Sequence, residues 1–138
     1  MSPITGNVPA DISTLIGLRI STPAAVAAAL RQTRIEPGHR LLVWTNDVDR
    51  VIGVQLMETV DDALAPAHAR ECLRGALSNK AVGCMLVRFS ANSTEPDFFD
   101  EHVKEQIRHA LRVINVRLID HLIFNAATHH SVAQLGEL

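Results

Sequence analysis

The sequence predicts an α/β (α+β) fold, in which helices flank a mixed β-sheet. Apolar runs of strand length alternate along the chain with longer segments of helical composition, the order typical of layered α/β domains. With 138 residues, 47% of them hydrophobic and 20% charged, the chain has the size and composition of one domain with its own core. We place that domain over residues 21–138. A flexible lead-in, 1–20, carries two prolines and two glycines.

Each predicted element has a local signal. Ser21-Thr22-Pro23 supplies an N-cap candidate and a first-turn proline for an alanine-rich helix over 24–34. The polar turn 46–49 separates two apolar runs, which predicts a pair of antiparallel strands over 41–45 and 50–57. The remaining predicted elements are a helix over 65–79, a doubly buried strand over 81–89, a long helix over 97–113, a strand over 117–125 and a short C-terminal helix.

Composition disfavours several classes of function. No apolar run approaches the roughly 20 residues of a membrane span, and no signal peptide is evident, so we expect a cytoplasmic protein without a membrane partner. A net charge of −2 with interleaved acids and bases disfavours nucleic-acid binding. Cys72 and Cys84 form no Cys-x-x-Cys pair and are expected to be buried structural residues.

Four short segments occur in an order and spacing that resemble a known family. They are Asp49-Arg50-Val51-Ile52, His68-Ala69-Arg70-Glu71, Ile119-Asp120-His121-Leu122-Ile123 and the stretch 131–136. Together they resemble the RadC branch of the JAB/MPN (JAMM) family over about residues 18–138. The resemblance implies the three-layer, cytidine-deaminase-like JAB/MPN architecture. Because MPN domains often act in pairs, it also implies a homodimer or another protein partner.

The same resemblance implies where a zinc site would lie. In the family, a strand carries a His-x-His pair, a later helix opens with Ser-x-x-Asp, and an upstream Glu acts as the general base. Such a zinc ion keeps one position open for a water that the metal acidifies. Here the strand ends in Arg88-Phe89-Ser90, the helix opens with Asp97-Phe98-Phe99-Asp100, and the loop between them is one residue shorter than in the family. Gly38, or a non-acidic neighbour, replaces the base.

Only one of the three zinc ligands, Asp100, therefore has a counterpart in this chain. We expect a vestigial cleft made of Arg88, Ser90, Asp97 and Asp100, with no catalytic residue and no metal cofactor. We hypothesise that the Arg88 guanidinium pairs with Asp100 in place of the zinc, since a permanent cation repels a divalent ion. Asp97 suits an N-cap, and Asp100 then lies in the first turn, where the helix dipole favours a carboxylate.

The histidines do not suggest another metal site. His129 and His130 are adjacent and would point to opposite faces of an extended chain, so we expect them in a loop. His68 and His121 occupy positions that resemble the family pattern and are expected to be structural.

We therefore predict a catalytically inactive RadC-like JAB/MPN domain that acts as a protein-interaction or dimerisation module. Three of the four phenylalanines, Phe89, Phe98 and Phe99, surround the cleft; we favour a plug over a surface offered to a partner. Two alternatives stay open. A zinc-dependent JAMM-type hydrolase would use Asp100 with rearranged ligands, and a DNA-repair accessory factor would bind DNA in a strongly salt-dependent way.

Overall fold

The computed structural model describes residues 4–5, 10–33, 35–37, 39–58, 66–136 and 138. Over these residues the chain forms β1 (Ile4–Thr5), a 3-10 helix (Ala10–Leu15), α1 (Pro23–Leu30), β2 (His39–Thr45), β3 (Val51–Glu58), α2 (Pro66–Asn79), β4 (Gly83–Phe89), α3 (Phe98–Val113), β5 (Arg117–Phe124) and β6 (His129–Ser131). The strands join in one sheet in the order β1-β3-β2-β4-β5-β6. Two pairs, β1 with β3 and β4 with β5, are parallel and the others antiparallel. The predicted mixed sheet is confirmed.

Helices cover both faces of this sheet, so the domain has three layers. On one face, Leu15 of the 3-10 helix and Leu30 of α1 pack in a core with the sheet. On the other face, α2 and α3 bury residues such as Ala76 and Ile107 against the strands. The central strand β4 is buried from Gly83 to Val87, as the unbroken apolar run predicts for a strand covered on both sides.

Part of the expected lead-in belongs to this core. Ile12, Leu15 and Ile20 are buried in the cluster beside α1. The segment also pairs with the start of β3, because the Val51 N–H donates to the Leu18 carbonyl at 2.9 Å. Residues 10–20 are therefore folded, in contrast to the flexible lead-in that we expected. The neighbouring glycines and prolines favoured a loop in the prediction, although three apolar side chains of this segment are buried. Residues 1–3 and 6–9 lie outside the described part of the chain.

The helix predicted over 24–34 ends early, at Leu30. Thr33 closes it, since its hydroxyl and its backbone N–H both donate to the Leu30 carbonyl, at 2.6 and 2.9 Å. This local hydrogen bond is the usual way in which a threonine competes with a continuing helix.

The C-terminal segment also differs from the prediction. His129 and His130 lie in β6, where they pair with Phe124 and Ile123 of β5. Turns, rather than a helix, follow this strand. The chain can reverse here because the Asn125 side-chain oxygen accepts the N–H groups of residues 127 and 128, an arrangement that asparagine favours.

Both cysteines are free and buried. Burial raises the pKa of the Cys72 thiol to about 12 and that of Cys84 well above its ordinary value. Both thiols therefore stay protonated near neutral pH, and Cys72 and Cys84 act as small apolar residues in the core between the sheet and the helices α2 and α3. None of the helices in the described part of the chain has the length and apolarity that a membrane span needs.

Candidate functional site

Three neighbouring strands bring polar side chains together beneath α3. Arg40 of β2 and Arg88 of β4 are direct partners in the sheet, and His121 of β5 lies opposite Leu86, two residues before Arg88. Because residues two apart on a strand share a face, these side chains lie on the side that α2 and α3 cover. α3 adds Asp100 and Lys104, one turn apart and both buried.

The centre of this group is the carboxylate of Asp100, which is fully buried. Arg88 donates to both of its oxygens, with Nε and Nη2 each at 2.7 Å. Arg40 Nη2 donates to Oδ1 at 3.1 Å. The hypothesised pairing of Arg88 with Asp100 is therefore present, in the bidentate geometry that arginine favours. We refer to Arg40, Asp100 and Arg88 as the ion cluster.

A capping box holds Asp100 in place. The Asp97 carboxylate accepts the Asp100 N–H, and the Asp100 carboxylate accepts the Asp97 N–H, both at 2.8 Å. The N-cap predicted at Asp97 and the first-turn position predicted for Asp100 are both confirmed. Two N–H groups at the helix start thus gain acceptors, and the carboxylate lies at the positive end of the helix dipole.

These contacts keep Asp100 ionised. Burial by itself would raise the pKa of the Asp100 carboxyl group. The hydrogen bonds from Arg88 and from the Asp97 N–H, together with the charge of Arg88, outweigh burial and lower the pKa from 3.8 to about 2. The carboxylate therefore carries its negative charge throughout the physiological range, opposite two permanent cations.

His121 is a neutral, fully buried neighbour of the ion cluster. Burial lowers its pKa from 6.5 to about 3, and the positive charges of Arg40, Arg88 and Lys104 add to this effect against the attraction of Asp100. Neither ring nitrogen has a hydrogen-bond partner among the residues that the structure describes. A neutral imidazole offers one donor and one acceptor.

The residues of this site do not fit a zinc ion. Guanidinium groups have no lone pair for a metal, and the four N–H donors around Asp100 occupy the oxygen lone pairs that a metal would need. Within the described ranges, no group of three His, Cys, Asp or Glu side chains is placed to hold a metal. No reaction step through zinc follows from this donor set.

The other predicted cleft residues have local roles. Ser90 is buried, and its hydroxyl accepts the Asn92 N–H at 3.2 Å within the following loop. Phe89 packs against Phe124 of β5, with ring centroids 5.3 Å apart, on the face of the sheet opposite the one that carries Arg88. It is therefore a core residue that does not fill the cleft. Phe98 is 79% exposed and Phe99 is 38% exposed, and for these two residues the plug interpretation is wrong.

Arg40 and Lys104 were not predicted as part of the site, although each has a sequence signal. Arg40 lies two residues before Leu42 and four before Trp44, on the face of β2 that both of them bury. Lys104 follows Asp100 by one turn, on the face of α3 that Ile107 and Leu111 bury. A charge on a buried face requires a partner.

Gly38, which we placed at the family's base position, and the side chain of His68 lie outside the described residues.

Replacing Asp100 should cost more stability than removing one of its partners. Asp100→Asn leaves two buried guanidinium groups without a carboxylate and should lower the free energy of unfolding by roughly 3–5 kcal/mol. Arg88→Met should cost less, because Arg40 still neutralises Asp100. Urea denaturation measures both, with Glu105→Gln as the control: it breaks the exposed pair with Arg108 and should cost less than about 0.5 kcal/mol. A loss for Asp100→Asn no larger than that of the control would contradict the ion cluster as a stabilising centre.

His121 should make the fold sensitive to mild acid. Its folded pKa of about 3 lies below its ordinary 6.5, so between these values the unfolded chain binds a proton that the folded chain does not, and stability falls as pH falls. At about pH 4.5 this loss should reach about 3 kcal/mol. Denaturation curves from pH 7 to pH 4 should show a shallower loss for His121→Gln than for the wild type. The exposed control His109→Gln should retain the wild-type slope, and identical slopes for all three proteins would exclude this role.

Comparison with known proteins places the chain in a family. The model of the RadC-like JAB domain matches residues 20–137. A UPF0758 protein of Thiobacillus denitrificans is 27% identical over 125 residues, and one of Halorhodospira halophila is 30% identical over 127; each alignment covers 88% of this chain and 56% of the relative. A UPF0758 protein of Variovorax paradoxus is 35% identical over 72 residues, 51% of this chain and 32% of the relative.

The chain thus spans about half the length of these two curated relatives. The family model covers nearly all of the chain, including every residue of the ion cluster. The order of sheet and helices agrees with the architecture that the motifs predicted. This chain belongs to the RadC-like JAB domain family.

Proposed function

We propose that this domain is a catalytically inactive RadC-like JAB domain that works as a protein-interaction or dimerisation module. One observation carries the proposal: the carboxylate at the family's metal-ligand position, Asp100, is held by Arg88 and Arg40. A divalent ion would have to displace a bidentate guanidinium and would meet two fixed positive charges within a few ångströms.

The chemistry of metal-dependent hydrolysis also needs a proton acceptor. A general base must take a proton from the attacking water near neutral pH. The strand at this edge of the cleft contributes Arg40, which is 6% exposed and whose guanidinium is a hydrogen-bond donor without an acceptor atom. This composition supports a structural cluster in place of a catalytic one.

An exposed aromatic surface beside the cluster supports the interaction role. Phe98 and Phe99 lie in the first turn of α3 with ring centroids 5.8 Å apart in an edge-to-face arrangement, and Phe98 stacks on His102 at 6.5 Å. We call these three residues the aromatic surface. Exposed phenylalanine is costly to leave in water, and aromatic side chains are enriched at the centres of protein interfaces. The aromatic surface is therefore the contact that we propose for a second copy or another protein.

Metal content separates the proposal from a zinc-dependent hydrolase with rearranged ligands. Protein purified without a histidine tag, exposed briefly to zinc and desalted should retain less than about a tenth of an equivalent by mass spectrometry, because a competent site holds zinc far more tightly. Retention of about one equivalent that disappears in Asp100→Ala but persists in Glu105→Ala, a change of an exposed carboxylate on the same helix, would establish the hydrolase alternative instead.

The interaction role is testable first with a second copy of the chain, because that test requires no knowledge of another partner. We expect sedimentation to show a reversible dimer that Phe98→Ser weakens by about tenfold or more, the size of effect typical of a central aromatic contact. Val113→Ser, at the far end of α3 and similarly exposed, should leave association unchanged. A wild-type chain that stays monomeric at high concentration, or an equal effect of both variants, would remove self-association from the proposal.

A further inference from the structure

The outer face of α3 carries acidic residues in its first half and basic residues in its second half. These residues are Glu101, Glu105, Arg108 and Arg112, and we call them the charged stripe. Residues three or four apart on a helix are neighbours on its surface, so the four side chains form one line along α3. All four reach solvent, and the two glutamate side chains are 52% and 49% exposed.

The charges of the stripe are only partly neutralised within one chain. Glu105 pairs with Arg108 at 3.0 Å, and Glu101 pairs with Lys104 at 2.8 Å. Exposed pairs of this kind contribute little to stability, so their carboxylates remain available to a second cation. The Arg112 side chain has no ion pair or hydrogen bond among the described residues. About 16 Å of helix separates it from Glu101, which is too far for an ion pair within one chain.

The order of these charges is self-complementary when two copies of α3 lie antiparallel. A twofold axis that passes between residues 106 and 107 places residue 105 of one copy opposite residue 108 of the other. The same axis places residue 101 opposite residue 112. Each acidic residue of the charged stripe then faces a basic residue of the second copy. An isologous dimer contact requires this property, because it pairs one surface with itself.

The same axis brings the aromatic surface onto a cavity of the second copy. This cavity, of about 340 Å³, lies at the end of α3, where residue 115 and the side chains of three arginines and two apolar residues line it: Arg108, Arg112, Arg117, Val116 and Leu118. Phe98, which is 79% exposed, would lie opposite residue 115. A cavity of about 150 Å³ can hold benzene, so a phenyl ring has room there. Guanidinium planes also stack favourably on aromatic faces.

We propose that α3 is the self-association face of this domain and binds α3 of a second copy in antiparallel orientation, with Phe98 of each copy in the arginine-lined cavity of the other. This inference rests on the proposed function, since it specifies how two copies of the dimerisation module meet. Phe98 supplies affinity, and the charged stripe determines the orientation, because a parallel arrangement would bring like charges together. Val113 points about 100° away from Arg112 around the helix, outside this face.

Two charge reversals test the antiparallel contact by sedimentation. Glu105→Arg and Arg108→Glu should each weaken association by about tenfold or more, because like charges then meet across the axis. An equimolar mixture of the two variants should associate about as tightly as the wild type, since every acidic position of one variant then faces a basic position of the other. Mixing cannot restore a loss that arises within a single chain.

Arg74→Glu is the matched control, because it reverses an exposed arginine of α2 and changes the net charge as much as Arg108→Glu does. It should leave association unchanged. A mixture that associates no more tightly than either variant alone, or equal weakening by Arg74→Glu and Arg108→Glu, would overturn the antiparallel face. If the wild-type dimer still depends on Phe98, that result overturns this face alone, whereas a monomeric wild type overturns self-association in the proposed function as well.

Discussion

A buried carboxylate between two guanidinium groups connects parts of the domain that are far apart in sequence. Arg40, Arg88 and Asp100 come from β2, β4 and α3, and 60 residues separate Arg40 from Asp100. The capping box fixes the start of α3 relative to that carboxylate, and the apolar residues below Asp100 on the same helix face pack onto the sheet. The position of the long helix over the central strands therefore depends on this ion cluster.

In the proposed function, the ion cluster holds separate elements of the fold together, as a bound metal would, but it provides no catalytic chemistry. A metal ion binds side chains from separate elements and contributes its binding free energy to folding. A bidentate arginine pair also joins a helix to a strand, but it provides neither a Lewis acid nor an open coordination position. Such a pair is not an ideal stabiliser, because burying ions costs about as much as their attraction returns. It favours one arrangement of the helix and the strands, and it leaves the adjacent aromatic surface free to determine what the domain binds.

The sequence was sufficient for the layers of the fold and for two of the three residues of the ion cluster. Apolar periodicity located the main strands and the long helix, and the family resemblance placed Arg88 beside Asp100. Arg40 was missed because its position follows from the register between β2 and β4, which pairs it with Arg88 and which no local pattern reveals. The same limit applies to Ile12 and Leu15, whose burial depends on long-range packing. His121 was assigned a structural role, but the charges of Asp100, Arg40, Arg88 and Lys104 that act on its pKa come close to it only in the folded chain.

A crystal structure of protein grown with zinc in the solution, with diffraction data collected at the zinc absorption edge, tests the ion cluster most directly. We predict that Arg88 still donates to both oxygens of Asp100 and that no anomalous peak lies near that carboxylate. A zinc peak about 2.0–2.2 Å from an Asp100 oxygen, with the Arg88 guanidinium displaced, would contradict the proposal that this cluster replaces the metal.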